Sequence, residues 1–426
     1  MDPSQRFDSA CQGEPRLLWK RLVHPTRPLF VQGMLYARDI GEGLLVIDPL
    51  TGDSRERRTL SYALAEVPMA TDGHTLYVGV QMQSGETPLL CAYDPLDQRV
   101  LWTAAVLHPT GDSWRGWTIS AADGGLVFVA TNEHQVLALR AEEGTTVWSF
   151  ELPRGGLHRP ALTVAGGRVY VTGAGKAGFV GVSTKSNGYV VALDCTSGDL
   201  MWICVTKGEI AHAAVVAARR VYAGDHEFHP WRLYCIDENE HRPLRTPLWK
   251  YQLEGHAHGG AVSSNTAYWG CYRGYLYAID TQTGELRWRF HAGGSLAARG
   301  APCAVGGSVF VGCVDGFIYG LDAGTGALRW KTFLLDDEAL SLADSERTER
   351  KRQSEHERAA RDGAIERPLA AADHLDGEDG HSAIVMPPSF DIEVWEAGGR
   401  LFALTSQGFH HCFHLPGAVP PKDGTP

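Results

Sequence analysis

The sequence lacks the features that mark nucleic-acid-binding and membrane-spanning proteins. Its 426 residues carry 39 Lys and Arg against 50 Asp and Glu, so the formal net charge is -11. Phosphate binding needs a basic surface that releases counterions, and we therefore expect no nucleic acid as a partner. No apolar run approaches the roughly 18 residues of a membrane helix, so we expect no membrane span.

The N-terminus and the cysteines also lack the marks of an exported protein. Residues 1–15 have neither the apolar core nor the small-residue cleavage site of a secretory signal. The nine cysteines include no CxxC, no CxxCH and no adjacent pair, and several lie in strand-like stretches, as Cys235 and Cys271 do. We expect small buried thiols rather than a disulfide or metal framework, and the cytoplasm as the location.

Helical periodicity is missing as well, and a repeated strand pattern takes its place. Strands that end at the same position of the repeat are spaced by 42 to 54 residues. They end at Asp48, Asp94, Arg140, Asp194, Asp237, Asp280 and Asp322. A T-x-T-G type of turn follows most of them. Its glycine can adopt the positive φ of a tight hairpin, and its amides can donate hydrogen bonds to the Asp side chain.

Each repeat supplies four short strands. An alternating apolar strand precedes the Asp strand, a less regular strand lies further upstream, and a Trp-bearing strand follows the turn. The repeated tryptophans are Trp19, Trp102, Trp148, Trp202, Trp249, Trp288 and Trp330, and we expect them to pack between neighbouring units. Four-stranded units of about 40–50 residues indicate the blades of a β-propeller.

The two ends of the sequence complete the last unit. Residues 16–22 match a Trp strand without its first three strands, and residues 400–414 match a unit without its Trp strand. We therefore predict an all-β fold, an eight-bladed β-propeller of four-stranded antiparallel blades, closed by joining the N- and C-terminal strands. Such closure removes the exposed sheet edges that favour aggregation.

The domain boundaries follow from this count. We predict a flexible tail at 1–15, a single propeller at 16–416 and a flexible tail at 417–426. A charged insertion at 336–381 separates blades seven and eight. Its mixed charges and missing apolar stripe predict a solvated helix or a disordered segment. We expect the protein to be a monomer.

The repeat resembles a known family. The stretch GYLYAIDTQTGELRW, residues 274–288, is similar to the repeat of the pyrroloquinoline-quinone (PQQ) propeller superfamily, which includes quinoprotein dehydrogenases and outer-membrane assembly lipoproteins. The resemblance covers roughly residues 16–335 and 386–416 and implies the propeller fold. It also implies PQQ-dependent oxidation as one function. However, the adjacent Cys–Cys pair and the secretory signal of such dehydrogenases are missing, so we expect no cofactor.

Candidate functional residues come from positions that depart from the repeat. Counting back from the second strand gives one equivalent inner-strand position in every blade, and His212 and His258 occupy it in neighbouring blades. The predicted ligand-binding set is Arg115, Trp117, His158, Arg159, His212, His256, His258 and Arg299. Such a basic, imidazole-rich funnel suits an anionic ligand. Since neighbouring histidines can shift one another's pKa, His212 and His258 are also the candidate catalytic residues.

Two histidine-rich stretches raise the question of a metal. His226, Glu227 and His229 offer suitable side chains, but they lack the spacing of a known zinc motif. The stretch HHCFH at 410–414 aligns on a blade strand, whose side chains alternate between two faces and cannot all converge. We therefore predict no metal site, with His226, Glu227 and His229 as the alternative.

Three functions remain open. The first is a binding or scaffold module that uses the insertion-bearing face and the central funnel to hold a protein, peptide or small-molecule partner. The second is an enzyme with a His/Arg-lined active site in the funnel that acts on an anionic substrate, and the third is a PQQ-dependent oxidoreductase. We favour the first, although the sequence leaves open whether any reaction is catalysed.

Overall fold

The structure is a computed structural model of the chain. It describes residues 15–22, 27–39, 43–59, 63–64, 69–81, 89–105, 118–131, 134–152, 160–175, 187–226, 230–239, 242–292, 294, 296, 301–334, 392–397, 399–405 and 409–415. The predicted insertion at 336–381 and the predicted C-terminal tail at 417–426 lie outside the described residues, as do residues 1–14.

Eight β-sheets, the blades, follow one another along the chain. Blade 8 is closed by β1 (Arg16–Leu22). Blade 1 contains β2 (Leu29–Val31), β3 (Met34–Arg38), β4 (Gly43–Ile47) and β5 (Ser54–Thr59). Blade 2 contains β6 (Ala63–Leu64), β7 (Ala70–Thr71), β8 (Leu76–Gln81), β9 (Leu89–Asp94) and β10 (Arg99–Ala105). Blade 3 contains β11 (Thr118–Asp123), β12 (Leu126–Ala130), β13 (Gln135–Arg140) and β14 (Thr146–Glu151).

The second half of the ring repeats this order. Blade 4 contains β15 (Ala161–Ala165), β16 (Arg168–Gly175), β17 (Asn187–Asp194) and β18 (Leu200–Thr206). Blade 5 contains β19 (Val215–Ala217), β20 (Arg220–Gly224), β21 (Arg232–Asp237) and β23 (Trp249–Gln252), while β22 (Leu244–Arg245) joins blade 4. Blade 6 contains β24 (Ala257–Ser263), β25 (Thr266–Cys271), β26 (Tyr275–Asp280) and β27 (Leu286–His291). Blade 7 contains β28 (Cys303–Val305), β29 (Ser308–Gly312), β30 (Phe317–Asp322) and β31 (Leu328–Phe333), and blade 8 contains β32 (Ile392–Ala397), β33 (Arg400–Thr405) and β34 (Phe409–His414).

The turn between the third and fourth strands of a blade has the predicted geometry. In blade 6, the amides of Gln282 and Thr283 donate to Asp280 Oδ1 at 2.8 and 2.9 Å, and Gly284 has a φ of +74°. Arg287 lies 2.6 Å from the Asp280 carboxylate. This guanidinium, together with the turn amides, lowers the pKa of Asp280 to about 2. The aspartate thus stabilises the turn that leads into the Trp strand.

The repeated tryptophans join neighbouring blades, as predicted. In blade 5, Trp249 Nε1 donates to the Thr281 carbonyl of the blade 6 turn at 3.0 Å, and the indole lies directly against Gly284 of that turn. The same bond joins Trp19 to Pro49, Trp102 to Ala141, Trp148 to Cys195 and Trp288 to Ala323. A residue with a Cβ at the turn glycine would collide with the ring, which explains why Gly and Trp recur together.

The ring closes through its two ends. β1 pairs antiparallel with β34, in a register that runs from Arg16–His414 to Leu22–Phe409. Trp19 is 8% exposed and packs with side chains of blades 8 and 1 in one apolar cluster. The predicted closure of the eighth blade by the N-terminal strand is therefore confirmed, and with it the eight-bladed, all-β fold.

Blade 5 departs from the repeat. The chain after β21 has no T-x-T-G turn, and β22 instead pairs in parallel with β18, the outer strand of blade 4. Arg245 of β22 stacks over the Trp202 ring at 4.6 Å. A strand from the next blade therefore covers the Trp of blade 4, where other blades use a turn glycine.

Seven of the eight cysteines in the described residues are buried, and Cys303 is half-buried. None of the eight cysteines in the described part of the chain forms a disulfide. Burial raises the pKa of both Cys91 and Cys412 to about 12, so these thiols stay protonated and unreactive at neutral pH. The described residues also include no helix that is long and apolar enough to cross a membrane.

Candidate functional site

The candidate site lies where blades 5 and 6 meet, at the face on which their inner strands begin. His212 precedes β19, the inner strand of blade 5, and His226 follows β20, the second strand of that blade. His258 is the second residue of β24, the inner strand of blade 6, and His256 directly precedes that strand. The start of an inner strand and the link between the second and third strands share one face of a propeller, so the four side chains converge.

Four imidazoles form the centre of the site. The ring centroids of His212 and His258 are 5.8 Å apart, and those of His212 and His226 are 5.9 Å apart. His226 also lies 5.0 Å from His256 and 6.3 Å from His258. One ring nitrogen from each of His212, His226 and His258 lies within 4.8 Å of the other two. We call these three residues the histidine cluster.

Aromatic rings extend the histidine cluster toward the surface. Trp231, which directly precedes β21, has its ring 5.0 Å from that of His256, and Tyr272, which follows β25, has its ring 5.7 Å from His256 on another side. Tyr272 is 37% exposed, and Trp231 and His256 are half-buried. We call Trp231, His256 and Tyr272 the aromatic rim.

Backbone hydrogen bonds fix the segments that carry the histidines. The amide of Ala257, the residue before His258, donates to the carbonyl of Asp225, the residue before His226, at 2.8 Å. The His226 amide donates to the Glu209 carbonyl at 2.7 Å. The first bond connects blade 5 to blade 6 and sets the spacing between two of the imidazoles, and the second ties His226 to the segment between β18 and β19.

Burial shifts the pKa values of His258 and Asp225 in opposite directions. His258 is 2% exposed, and this burial, reinforced by the neighbouring imidazoles, lowers its pKa to about 3. Asp225 is fully buried, and burial raises its pKa to about 7, even though the Tyr234 hydroxyl donates to its Oδ2 at 2.8 Å. His258 is therefore neutral at pH 7, and it adds no positive charge to the funnel that the sequence predicts to be basic.

The structure brings together part of the predicted residue set. His212, His256 and His258 of the predicted ligand-binding set meet at one place, and His226 of the metal alternative joins them. The remaining candidates lie outside the described residues: Arg115, Trp117, His158, Arg159, Glu227, His229 and Arg299. The ligand-binding and catalytic roles themselves stay predictions.

Sequence reasoning does not single out Tyr272, which completes the aromatic rim. A usable signal exists, because Tyr272 follows the second strand of blade 6 as His226 follows that of blade 5. Equivalent positions in adjacent blades are neighbours in a propeller.

Comparison with known proteins identifies the repeat. The model of the PQQ_2 family, described as outer membrane protein assembly factor BamB, matches residues 89–229 and 231–408, which is more than half of the chain. The chain belongs to this family. The match confirms the resemblance of the repeat to the PQQ-like propeller superfamily.

Sequence relatives from the family and its superfamily share segments with the chain. BamB of Kangiella koreensis is 26% identical over 183 residues, which are 42% of this chain and 43% of that protein. The quinohemoprotein alcohol dehydrogenase ADH IIB of Pseudomonas putida is 39% identical over 99 residues, which are 23% of this chain and 13% of the enzyme. The chain thus spans less than half the length of these curated relatives.

Solved structures show the same fold over nearly the whole chain. BamB of Moraxella catarrhalis has a TM-score of 0.60 and 14% identity, and the match covers 94% of this chain and 100% of that one. The quinohemoprotein alcohol dehydrogenase of Comamonas testosteroni has a TM-score of 0.58 and 12% identity, with 96% and 78% covered. At these identities the likeness establishes the propeller fold, and the function must come from the site.

Proposed function

We propose that the protein is a scaffold propeller that binds a protein or peptide partner at the aromatic rim of blades 5 and 6. One observation carries this proposal. Trp231, His256 and Tyr272 come from separate segments of two blades, yet their rings lie side by side at one end of the ring of blades. Trp231 also packs against the apolar cluster of blades 5 and 6, but the inter-blade hydrogen bonds of the repeat use the tryptophans of the outer strands instead.

The composition of the rim suits recognition of a protein. Tyr and Trp are enriched among the residues that dominate binding energy at interfaces, because they bury a large apolar area and also offer a polar group. In this rim, Tyr272 is partly exposed and rests on His256, which in turn contacts Trp231. A side chain of a partner could therefore insert against pre-positioned rings at little entropic cost.

The family supports the same class of function. The relative from Kangiella koreensis is the outer membrane protein assembly factor BamB, and BamB from Moraxella catarrhalis has the same fold over 94% of this chain. The match to the quinohemoprotein dehydrogenase spans 99 residues, about two blades, and only 13% of that enzyme. We carry over to this chain only the general role of a propeller that holds another protein.

The pKa of His258 is poorly suited to acid–base catalysis. A general acid or base works best with a pKa near the working pH. The pKa of His258 lies near 3, because the side chain is buried beside three other imidazoles. The sequence-based hypothesis that His212 and His258 form an acid–base pair therefore gains no support from their surroundings.

The proposal is tested by comparing partners of matched variants. Full-length wild-type protein, Trp231→Ala, Tyr272→Ala and the control Leu96→Ala are expressed in the native host and purified under identical conditions. Leu96 is 70% exposed and lies in the β9–β10 turn at the opposite face. We expect both rim variants to lose at least about 90% of a co-purifying partner, since hot-spot truncations cost about 2 kcal/mol or more. Equal recovery with all four proteins would overturn the proposal.

A further inference from the structure

The histidine cluster carries an inference that does not depend on the aromatic rim or on its partner. His212, His226 and His258 come from three separate segments, and each offers one ring nitrogen within 4.8 Å of the other two. Tetrahedral zinc holds imidazole nitrogens at about 2.0–2.1 Å, which places them about 3.4 Å apart. His212 and His226 are half-buried, so small side-chain rotations can close this difference.

His258 gives a second and independent indication. Its side chain is 2% exposed, and neither Nδ1 nor Nε2 has a hydrogen-bond partner among the described residues. Leaving a buried polar group unsatisfied costs about 1–3 kcal/mol, and such groups in native proteins call for an explanation. The ring lies against those of His212 and His226, so one of its nitrogens is placed to share a ligand with them. A bound metal ion would satisfy that nitrogen.

The backbone holds these ligands in place. The Ala257 amide binds the Asp225 carbonyl, which fixes the residues that directly precede His258 and His226. The Thr172 hydroxyl donates to the His212 carbonyl at 2.8 Å and ties the third ligand to blade 4. Three blades therefore contribute to the spacing. Metal sites need this kind of support, because ligands must stay oriented for affinity and selectivity.

The donor set selects the class of ion. Three imidazoles without a carboxylate suit zinc and neighbouring first-row transition metals, whereas Ca²⁺ and Mg²⁺ prefer oxygen ligands. Imidazole binds a metal ion through a deprotonated ring nitrogen. Both ring nitrogens of the buried His258 lack a hydrogen-bond partner among the described residues, which leaves one available for this role.

From these contacts we infer that His212, His226 and His258 bind one divalent transition metal ion of the zinc class. From the sequence we predict no metal site, and the three residues are not grouped there because they are separated by 14 and 32 residues and follow no zinc motif. Three protein ligands leave one position of a tetrahedral ion for a water molecule or an anion, the arrangement of zinc sites that exchange their fourth ligand.

The test uses tag-free, full-length protein treated with EDTA and then dialysed. Titration with Co²⁺ is followed by visible absorption, and Zn²⁺ affinity is measured by competition with a chromophoric chelator. We expect one equivalent of metal and the intense visible bands of tetrahedral Co²⁺. Zn²⁺ should also raise the melting temperature, because the ion binds only the folded protein.

Single variants decide whether the cluster is the site. His212→Ala, His226→Ala and His258→Ala should each lose more than about 100-fold in Zn²⁺ affinity, since even partners of metal ligands are worth about 10- to 100-fold. The control His74→Ala removes an exposed histidine in the β7–β8 turn of blade 2 and should bind as the wild type does. Near-ultraviolet circular dichroism checks that each variant is folded. His212 and His226 are half-buried, so their substitution disturbs the packing less than that of the buried His258 does.

Two results would overturn the inference. One is a wild-type protein that binds no stoichiometric Zn²⁺ or Co²⁺. The other is Zn²⁺ affinity that is unchanged in the three folded cluster variants, or that falls equally in His74→Ala. Because the titration contains no protein partner, its failure is distinguishable from failure of the scaffold function, and loss of partner binding in Trp231→Ala leaves the metal inference intact.

Discussion

The contact between a turn glycine and the Trp of the preceding blade can be tested by a pair of Gly→Ala substitutions. Gly284 has a φ of +74°, and a Cβ at this position would lie 2.7 Å from Cγ and Cδ2 of Trp249. Gly33 has a φ of +82°, but no atom of the described residues lies within 4 Å of its added Cβ. Both variants bear the cost of a left-handed residue, about 1–2 kcal/mol, and both gain the same stiffening of the unfolded chain.

The difference between the two variants isolates the inter-blade contact. Gly284→Ala must also displace the indole, which adds about 1–3 kcal/mol for overpacking and weakens the Trp249–Thr281 hydrogen bond, worth about 1 kcal/mol. We expect Gly284→Ala to lower the free energy of unfolding by about 2 kcal/mol more than Gly33→Ala does, measured by urea unfolding at pH 7.5. Equal urea midpoints for the two variants would refute the role assigned to the Trp–Gly contact.

Two further predictions concern ring closure and pH. Deleting residues 1–22 removes β1 and exposes the edge of β34. The truncated protein should therefore aggregate and melt at a lower temperature than the full chain. An unchanged melting curve would mean that the ring does not need β1. His258 has a folded-state pKa near 3, below its unfolded value of 6.5, so its neutral form stabilises the fold above pH 6.5 and this advantage falls as the pH drops toward 3. In EDTA, His258→Gln should therefore lose about 2 kcal/mol less stability than the wild type between pH 7.5 and 5; equal losses would contradict the burial of this imidazole.

The fold could be predicted from the sequence because each recurring residue of the repeat stabilises a local turn or contact. Asp280 and Gly284 specify one turn, and Trp249 specifies the contact with it, so that finding these residue types at regular spacing fixes both blade count and blade order. The parallel pairing of β22 with β18 could not be predicted in this way. In this pairing, Arg245 covers the Trp202 ring, where the repeat would place a turn glycine. β22 has only two residues, which is too short for a strand pattern to be recognised in the sequence.

The candidate site could be predicted only in part. The repeat arithmetic places His212 and His258 in adjacent blades, and their rings are indeed 5.8 Å apart. The repeat arithmetic does not pair His226 with these two residues. His226 follows β20, so the direction of its side chain depends on the path of the chain between β20 and β21. Burial is also invisible in the sequence. The same histidine that predicts a basic funnel is held neutral by its surroundings, which changes the chemistry expected of the site.

The central claim is that the partner binds at the aromatic rim, and site-specific photo-crosslinking tests it most directly. A benzophenone amino acid is introduced at Tyr272, which is 37% exposed in the rim, or at Leu96, which is 70% exposed on the opposite face. Both proteins are irradiated in cells of the native host. We expect one recurring protein adduct from position 272 and none of that adduct from position 96. The same adduct from both positions, or from position 96 alone, would contradict it.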